Sequence, residues 1–250
     1  MLGQRNTHMP GTRQSAAYNT GSVSISSDAA RSFMSKIFSW MFIGLSLTAF
    51  VAWSFASSEK LMNLLISDSG LNMMGYLVMF APFIMVLLMS FRFHKMSSAT
   101  LTLMFGGYSI LMGMSLSFIL LVFTAASVFQ TFAITAGMFG AMAIIGYTTK
   151  TDLTKFGAFL YMALIGLILA IVVNWFLGSS QLEYIISILG VLIFTGLTAY
   201  DTQKLKRIGS QQEGNSMENT NKLVIMGALT LYLDFINLFL FLLRFLGQRR

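Results

Sequence analysis

Seven apolar runs constrain this chain more than any other feature. They cover residues 37–56, 73–91, 101–123, 128–147, 156–177, 184–200 and 223–246, and about 20 helical residues are needed to cross a hydrocarbon core of about 30 Å. The sixth reaches full length through a polar turn after Tyr200. Continuous runs of this length exclude the alternating strands of a membrane barrel. The expected fold class is therefore all-α: a polytopic membrane protein with seven transmembrane helices in one domain, residues 37–250, without an internal repeat. The weakest boundary is the break at Thr124 to Ser127, where a re-entrant turn would change the count.

Composition agrees. Charged residues make up 10% of the chain and its mean hydropathy is +0.73, against about 25% charged in a soluble domain. The 21 glycines lie mostly inside the apolar runs, where small residues let helices approach. Ala136, Gly137, Gly140 and Ala141 in TAGMFGAM form overlapping small-x-x-x-small patterns and are expected to make a packing seam. The 19 methionines read as adaptable packing. With no cysteine and only His8 and His94, disulfides, thiol catalysis and Cys or His metal clusters are excluded. The net charge of +7 sits in short connections beside apolar runs. It points to anionic lipid headgroups of the bilayer and not to nucleic acid.

Residues 1–36 are polar, carry Arg5, Arg13, Arg31 and Lys36, and read as a flexible tail and not a cleaved signal peptide. With the N-terminus cytoplasmic, twelve of the sixteen Lys and Arg residues fall on the inner side. The others are Lys60, Arg244, Arg249 and Arg250. Three of those follow Asp234, so the last run either spans or re-enters.

Seven of the nine acids fall in tails or connections. Asp234, in LYLDFINLFLFLLRF, lies well inside the last run, where an acid costs roughly 2.5 to 3.5 kcal/mol on insertion scales. Gly227, Thr230, Asp234, Asn237, Phe241 and Arg244 recur at steps of three and four and share one helical face. That stripe is either functional or an interhelical clamp of Asp234 and Asn237. Asp201, in FTGLTAYDTQKLKRIG, lies about two turns before Gly209, a candidate C-terminal cap. It is either a functional acid or a local partner of Lys204. Arg92 closes the second run in MSFRFHK as a snorkelling base, and His94 beside it is a candidate pH sensor.

GLTAYDTQKLKRI, ALTLYLDFINLFLFLLRFLG and TAGMFGAMAIIGYTTKTDL together resemble the Bax inhibitor family, in particular its bacterial inner-membrane branch, over residues 32–250. The resemblance implies a bundle with the last helix at its centre, in the bacterial inner membrane. It implies a pH-sensitive calcium leak pathway, with some members instead modulating a membrane-bound protease. It also implies that Asp201 and Asp234 face each other as a pH-sensing, ion-binding pair, with Arg92 as a latch on Asp201. The family often carries an acid in the second span, and residues 73–91 have none.

Two close carboxylates in a poorly solvated site share one proton. Losing it doubles the negative charge and favours a hard cation such as Ca²⁺, bound weakly and transiently, with Thr230 and Asn237 as supporting oxygens. The expected function is a non-enzymatic cation leak channel in a stress response, with no cofactor and Ca²⁺ as the permeant ion. The alternative is a regulator that binds a membrane-bound protease, with the tail as its natural handle, and carries no flux. An intramembrane aspartyl protease is disfavoured because Asp234 follows Leu-Tyr-Leu and not Gly-x-Gly. An ion-coupled transporter is a third reading, against which stands the absence from the sequence of the inverted repeat and broken helices such proteins often show.

Overall fold

The computed structural model describes residues 18–67, 70–212 and 216–250. It contains helices α1 (Tyr18–Ala56), α2 (Glu59–Met62), α3 (Met73–Arg92), α4 (Ser98–Val122), α5 (Ala125–Thr148), α6 (Thr154–Leu177), α7 (Ser180–Ser210) and α8 (Met217–Leu246), with a two-stranded ribbon, β1 (Ile66–Ser67) and β2 (Gly70–Leu71), between α2 and α3. Seven of these helices are long and apolar enough to cross a membrane. The chain is an all-α polytopic membrane protein.

Helix ends are set by local chemistry. The side chains of Asn72, Ser97, Thr124, Ser179 and Ser216 each accept from a backbone N–H in the first turn of the helix that follows, satisfying donors that have no intrahelical partner. Thr124 caps α5 directly after α4 ends, so the break there is a turn between two spans. The last run likewise spans, as one unbroken 30-residue helix.

Helix α8 is the axis of the bundle. Of its most apolar window 67% is buried, against 17% for α6, and it packs against α1, α4, α5 and α7. Close crossings depend on glycine. A Cβ on Gly113 would meet the Thr48 carbonyl at 2.7 Å, and one on Gly146 would collide with the carbonyl of Ala199. The TAGMFGAM pattern plays no such part: Cβ atoms at Gly137 and Gly140 would meet nothing within 4 Å, and Ala136, Gly137 and Ala141 are exposed. That face of α5 is turned away from its neighbours, so the expected seam is corrected.

Pro82 lies inside α3 and has no N–H for the carbonyl of Val78 four residues earlier. The Ser115 hydroxyl of α4 donates to that carbonyl at 2.7 Å, replacing the lost bond where water is scarce.

Two sequence boundaries also need correction. The polar segment 1–36 is not all tail, because α1 begins at Tyr18 and Ala30, Phe33 and Met34 are buried with Ile37. Those positions recur at helical spacing among serines and charges, which hid them from a composition reading. Residues 1–17 lie outside the described residues. Gly209 is not a cap but sits inside α7, where a Cβ would fall 2.7 Å from Phe33.

Candidate functional site

Asp201 and Asp234 come from adjacent helices of the best-buried pair, α7 and α8. The height of α7 is fixed by its own polar end. Gln203 accepts from the N–H of Leu153 at 2.9 Å and donates to the carbonyl of Thr151 at 2.8 Å. Lys206 donates to the carbonyl of Tyr147 at 2.7 Å, and Arg207 pairs with Asp152 at 3.0 Å. The end of α7 is thereby tied to the α5–α6 turn, with Asp201 just inside that anchorage. At the start of α8, both carboxylate oxygens of Glu218 accept from Ser98, one from its N–H and one from its hydroxyl, at 2.6 Å each.

Both aspartates line one cavity of about 430 Å³ with Thr230, Asn237 and Tyr161. Asp201 is 2% exposed and Asp234 5%, and the two interact electrostatically. Helix α3 packs chiefly on α4 and α6 on α7. The cavity occupies the gap between α3 and α6, which Phe83 borders. Toward the end of the bundle where the chain terminates, its walls include Phe194 and Phe241, stacked with ring centroids 5.7 Å apart. Gly190 permits that stack, since a Cβ there would lie 2.5 Å from the Phe241 ring.

The partners of the aspartates differ. The Tyr161 hydroxyl of α6 donates to Asp201, 3.2 Å from both Oδ1 and Oδ2. Asp234 has a buried Oδ2 with no hydrogen-bond partner among the described residues. The clamp reading fails, because the Asn237 amide donates to the Leu233 carbonyl at 2.9 Å. Lys204 makes no direct ion pair with Asp201 among the described residues: its side chain is exposed and lies 5.9 Å over the Tyr200 ring, although its charge acts on Asp201 through space.

The latch contact expected of Arg92 is not formed in this arrangement: Arg92 is exposed at the end of α3, and no ion pair or hydrogen bond joins it to Asp201 among the described residues. The side chain that does meet Asp201, Tyr161, was missed by sequence reasoning. Its one signal is a lone phenol in the apolar run FLYMALIGLIL, since a tyrosine at that depth needs a partner for its hydroxyl. Thr230 donates to the carbonyl of Met226 at 3.0 Å and borders the cavity, as Asn237 does. His94 packs edge-on against Phe93, away from these groups.

The site's oxygen donors are two carboxylates, Thr230 and Asn237. Among the described residues no three acids, histidines or cysteines gather as metal ligands, and calcium takes six to eight oxygens.

On the other side of α8, the Tyr232 hydroxyl lies 2.7 Å from Thr48 Oγ1, which in turn donates to the carbonyl of Ser109 at 2.9 Å. That chain locks α1, α4 and α8 together.

The pattern of the family described as inhibitor of apoptosis-promoting Bax1 matches residues 30–250. The chain belongs to the Bax inhibitor family. It is 49% identical over 220 residues to the inner membrane protein YbhL of Escherichia coli, covering 88% of this chain and 93% of that one. It is 45% identical over 218 residues to an uncharacterised protein of Borreliella burgdorferi, covering 87% and 92%. For the uncharacterised protein RP147 of Rickettsia prowazekii the identity is 42% over 227 residues, covering 89% and 92%. The match begins at residue 30, and Ala30 is itself buried in α1. The Bax inhibitor family segment thus takes in Asp201, Asp234 and Tyr161 alike.

Proposed function

We propose that this Bax inhibitor family protein is a pH-sensitive cation leak pathway of a bacterial inner membrane, with the N-terminus cytoplasmic and Ca²⁺ as the permeant ion. The observation that carries the reading is the Asp234 carboxyl group, buried beside Asp201 on a shared cavity, with its Oδ2 left without a hydrogen-bond partner among the described residues. An acid in that position is costly unless it is protonated or meets a cation.

In this reading the two carboxyl groups share one proton while the path is closed. Tyr161 donates to Asp201, so Asp201 is the seat for the negative charge and Asp234 holds the proton. When the proton leaves, two adjacent charges attract a divalent cation into the cavity, with Thr230 and Asn237 adding neutral oxygens. Alkaline conditions therefore favour entry of the ion. The Phe194–Phe241 stack is a hydrophobic barrier of the kind that closes a pore by excluding water. The orientation rests on the Lys and Arg distribution, and the inner-membrane placement on likeness to YbhL.

Calcium uptake into proteoliposomes tests this, comparing wild type with Asp201→Asn and Asp234→Asn. Both variants should lose the pH dependence. Uptake unchanged in both would overturn the proposal and favour a regulator that acts through a partner protein.

A further inference from the structure

We propose that a groove between α1, α4 and α5, floored by α8, binds one acyl chain of an anionic phospholipid whose phosphate is held by Arg250. The groove lies apart from the aspartate cavity. It has a volume of about 370 Å³ and is walled by apolar side chains that include Ala49, Ala52, Trp53, Phe129 and Phe239, with Thr48 as its one polar lining residue. The Thr48 hydroxyl is already committed to Tyr232 and to the carbonyl of Ser109. The walls therefore ask nothing polar of an occupant. Helix α5 packs on α7 and α8, and α1 on α4, α7 and α8, which leaves the gap between α1 and α5 facing the bilayer. Acyl chains are the medium at that depth.

The charge at one end selects the lipid. Leu120 and Ala125, both in the groove wall, flank the α4–α5 turn, and the end of the chain is stitched to that turn. The N–H of Arg250 donates to the Val122 carbonyl at 2.9 Å, and the N–H of Thr124 to the Gln248 carbonyl at 3.1 Å. Phe123 and Arg249 form an antiparallel bridge, and the N–H of Gln248 donates to the Ser127 hydroxyl at 2.9 Å. These bonds place a basic pair at the mouth of an apolar slot. Glu183 lies 3.8 Å from Arg249 and offsets that charge. Arg250 is exposed and joins no ion pair among the described residues, so it is the cation presented to a headgroup. A slot with a cation at its rim matches one chain and one phosphate of an anionic lipid.

Trp53 in the groove and Trp175 on α6 make the test direct. The full chain is prepared with Trp53 alone (Trp40→Phe, Trp175→Phe) or Trp175 alone (Trp40→Phe, Trp53→Phe). Each is reconstituted with acyl-brominated phosphatidylglycerol or phosphatidylcholine at equal mole fraction. Trp53 should be quenched by the anionic lipid with about fivefold higher apparent affinity, the factor one basic side chain contributes at an anionic surface. Trp175, 85% exposed and remote from the groove, should show no preference. Arg250→Gln, which keeps every backbone bond of the tail, should abolish the preference at Trp53. Ala52→Leu, which fills the slot, should lower quenching by both lipids there. Equal quenching by both lipids at Trp53, or a preference that survives Arg250→Gln, overturns the proposal.

Discussion

The Tyr161 hydroxyl stands 3.2 Å from each carboxylate oxygen of Asp201, while Asp234 on the same cavity has no such donor among the described residues. A hydrogen bond to a charged group is worth roughly 1.5–3 kcal/mol, and Tyr161 is 38% exposed, so the lower end applies. Asp201 is ionised both before and after the proton leaves Asp234, so the bond selects which carboxyl keeps the proton and nearly cancels from the transition itself. Tyr161→Phe should therefore move the pH midpoint of calcium uptake in proteoliposomes by less than about half a unit. A midpoint that moves by a full unit or more would show that Asp201, and not Asp234, carries the titrating proton.

The Phe194–Phe241 stack is expected to be the barrier at one end of the cavity. Phe→Ala in a core costs about 3–5 kcal/mol, so Phe241→Leu is the better variant. Uptake should rise severalfold at pH values where wild type is silent, with the aspartate-dependent midpoint unchanged. Unaltered silent-state uptake would place the barrier elsewhere.

Ser115 donates to the carbonyl that Pro82 leaves without a partner. Ser115→Ala should lower stability by about 0.6–1.7 kcal/mol, the range for hydrogen bonds between membrane helices, read by thermal unfolding in detergent. Gly146→Ala should cost more, about 1–3 kcal/mol. It drives a methyl group into the Ala199 carbonyl, two residues before Asp201, and should disturb the pH response as well. A Gly146→Ala protein with wild-type stability would contradict the crossing described between α5 and α7.

Asp152 offers a pH effect outside the spans. The Thr154 hydroxyl, the Thr154 N–H and Arg207 hold its carboxyl down to about 2. A carboxyl lowered on folding stabilises the native turn at pH above its ordinary value near 3.9. That support is lost as pH falls through about 2. Hydrogen exchange at the Thr154 amide should accelerate over that acid window, and Asp152→Asn should accelerate it at neutral pH without moving the uptake midpoint. A shifted midpoint would place the Asp152–Arg207 pair in the gate.

The seven spans were legible because hydrocarbon thickness dictates run length and nothing else in the chain mimics it. The acids were legible for a related reason: Asp201 and Asp234 are expensive where they stand. Contacts between helices were not. Arg92 and Tyr161 are both reasonable partners for Asp201, and the choice depends on α3 packing against α4 while α6 packs against α7. Small-residue patterns misled at Gly137 and Gly140 because spacing shows which residues share a face but not what that face meets. The buried positions Ala30, Phe33 and Met34 of α1 were hidden by the serines and charges between them.

The central claim is that a proton held between Asp201 and Asp234 controls ion entry. Difference infrared spectroscopy of the carboxyl stretch, recorded with calcium uptake across a pH series in the same proteoliposomes, tests it most directly. The account predicts a protonated carboxyl band that disappears as uptake begins, with a common midpoint, and that is absent in Asp234→Asn. A band that persists through the onset of uptake, or one retained in Asp234→Asn, would contradict it.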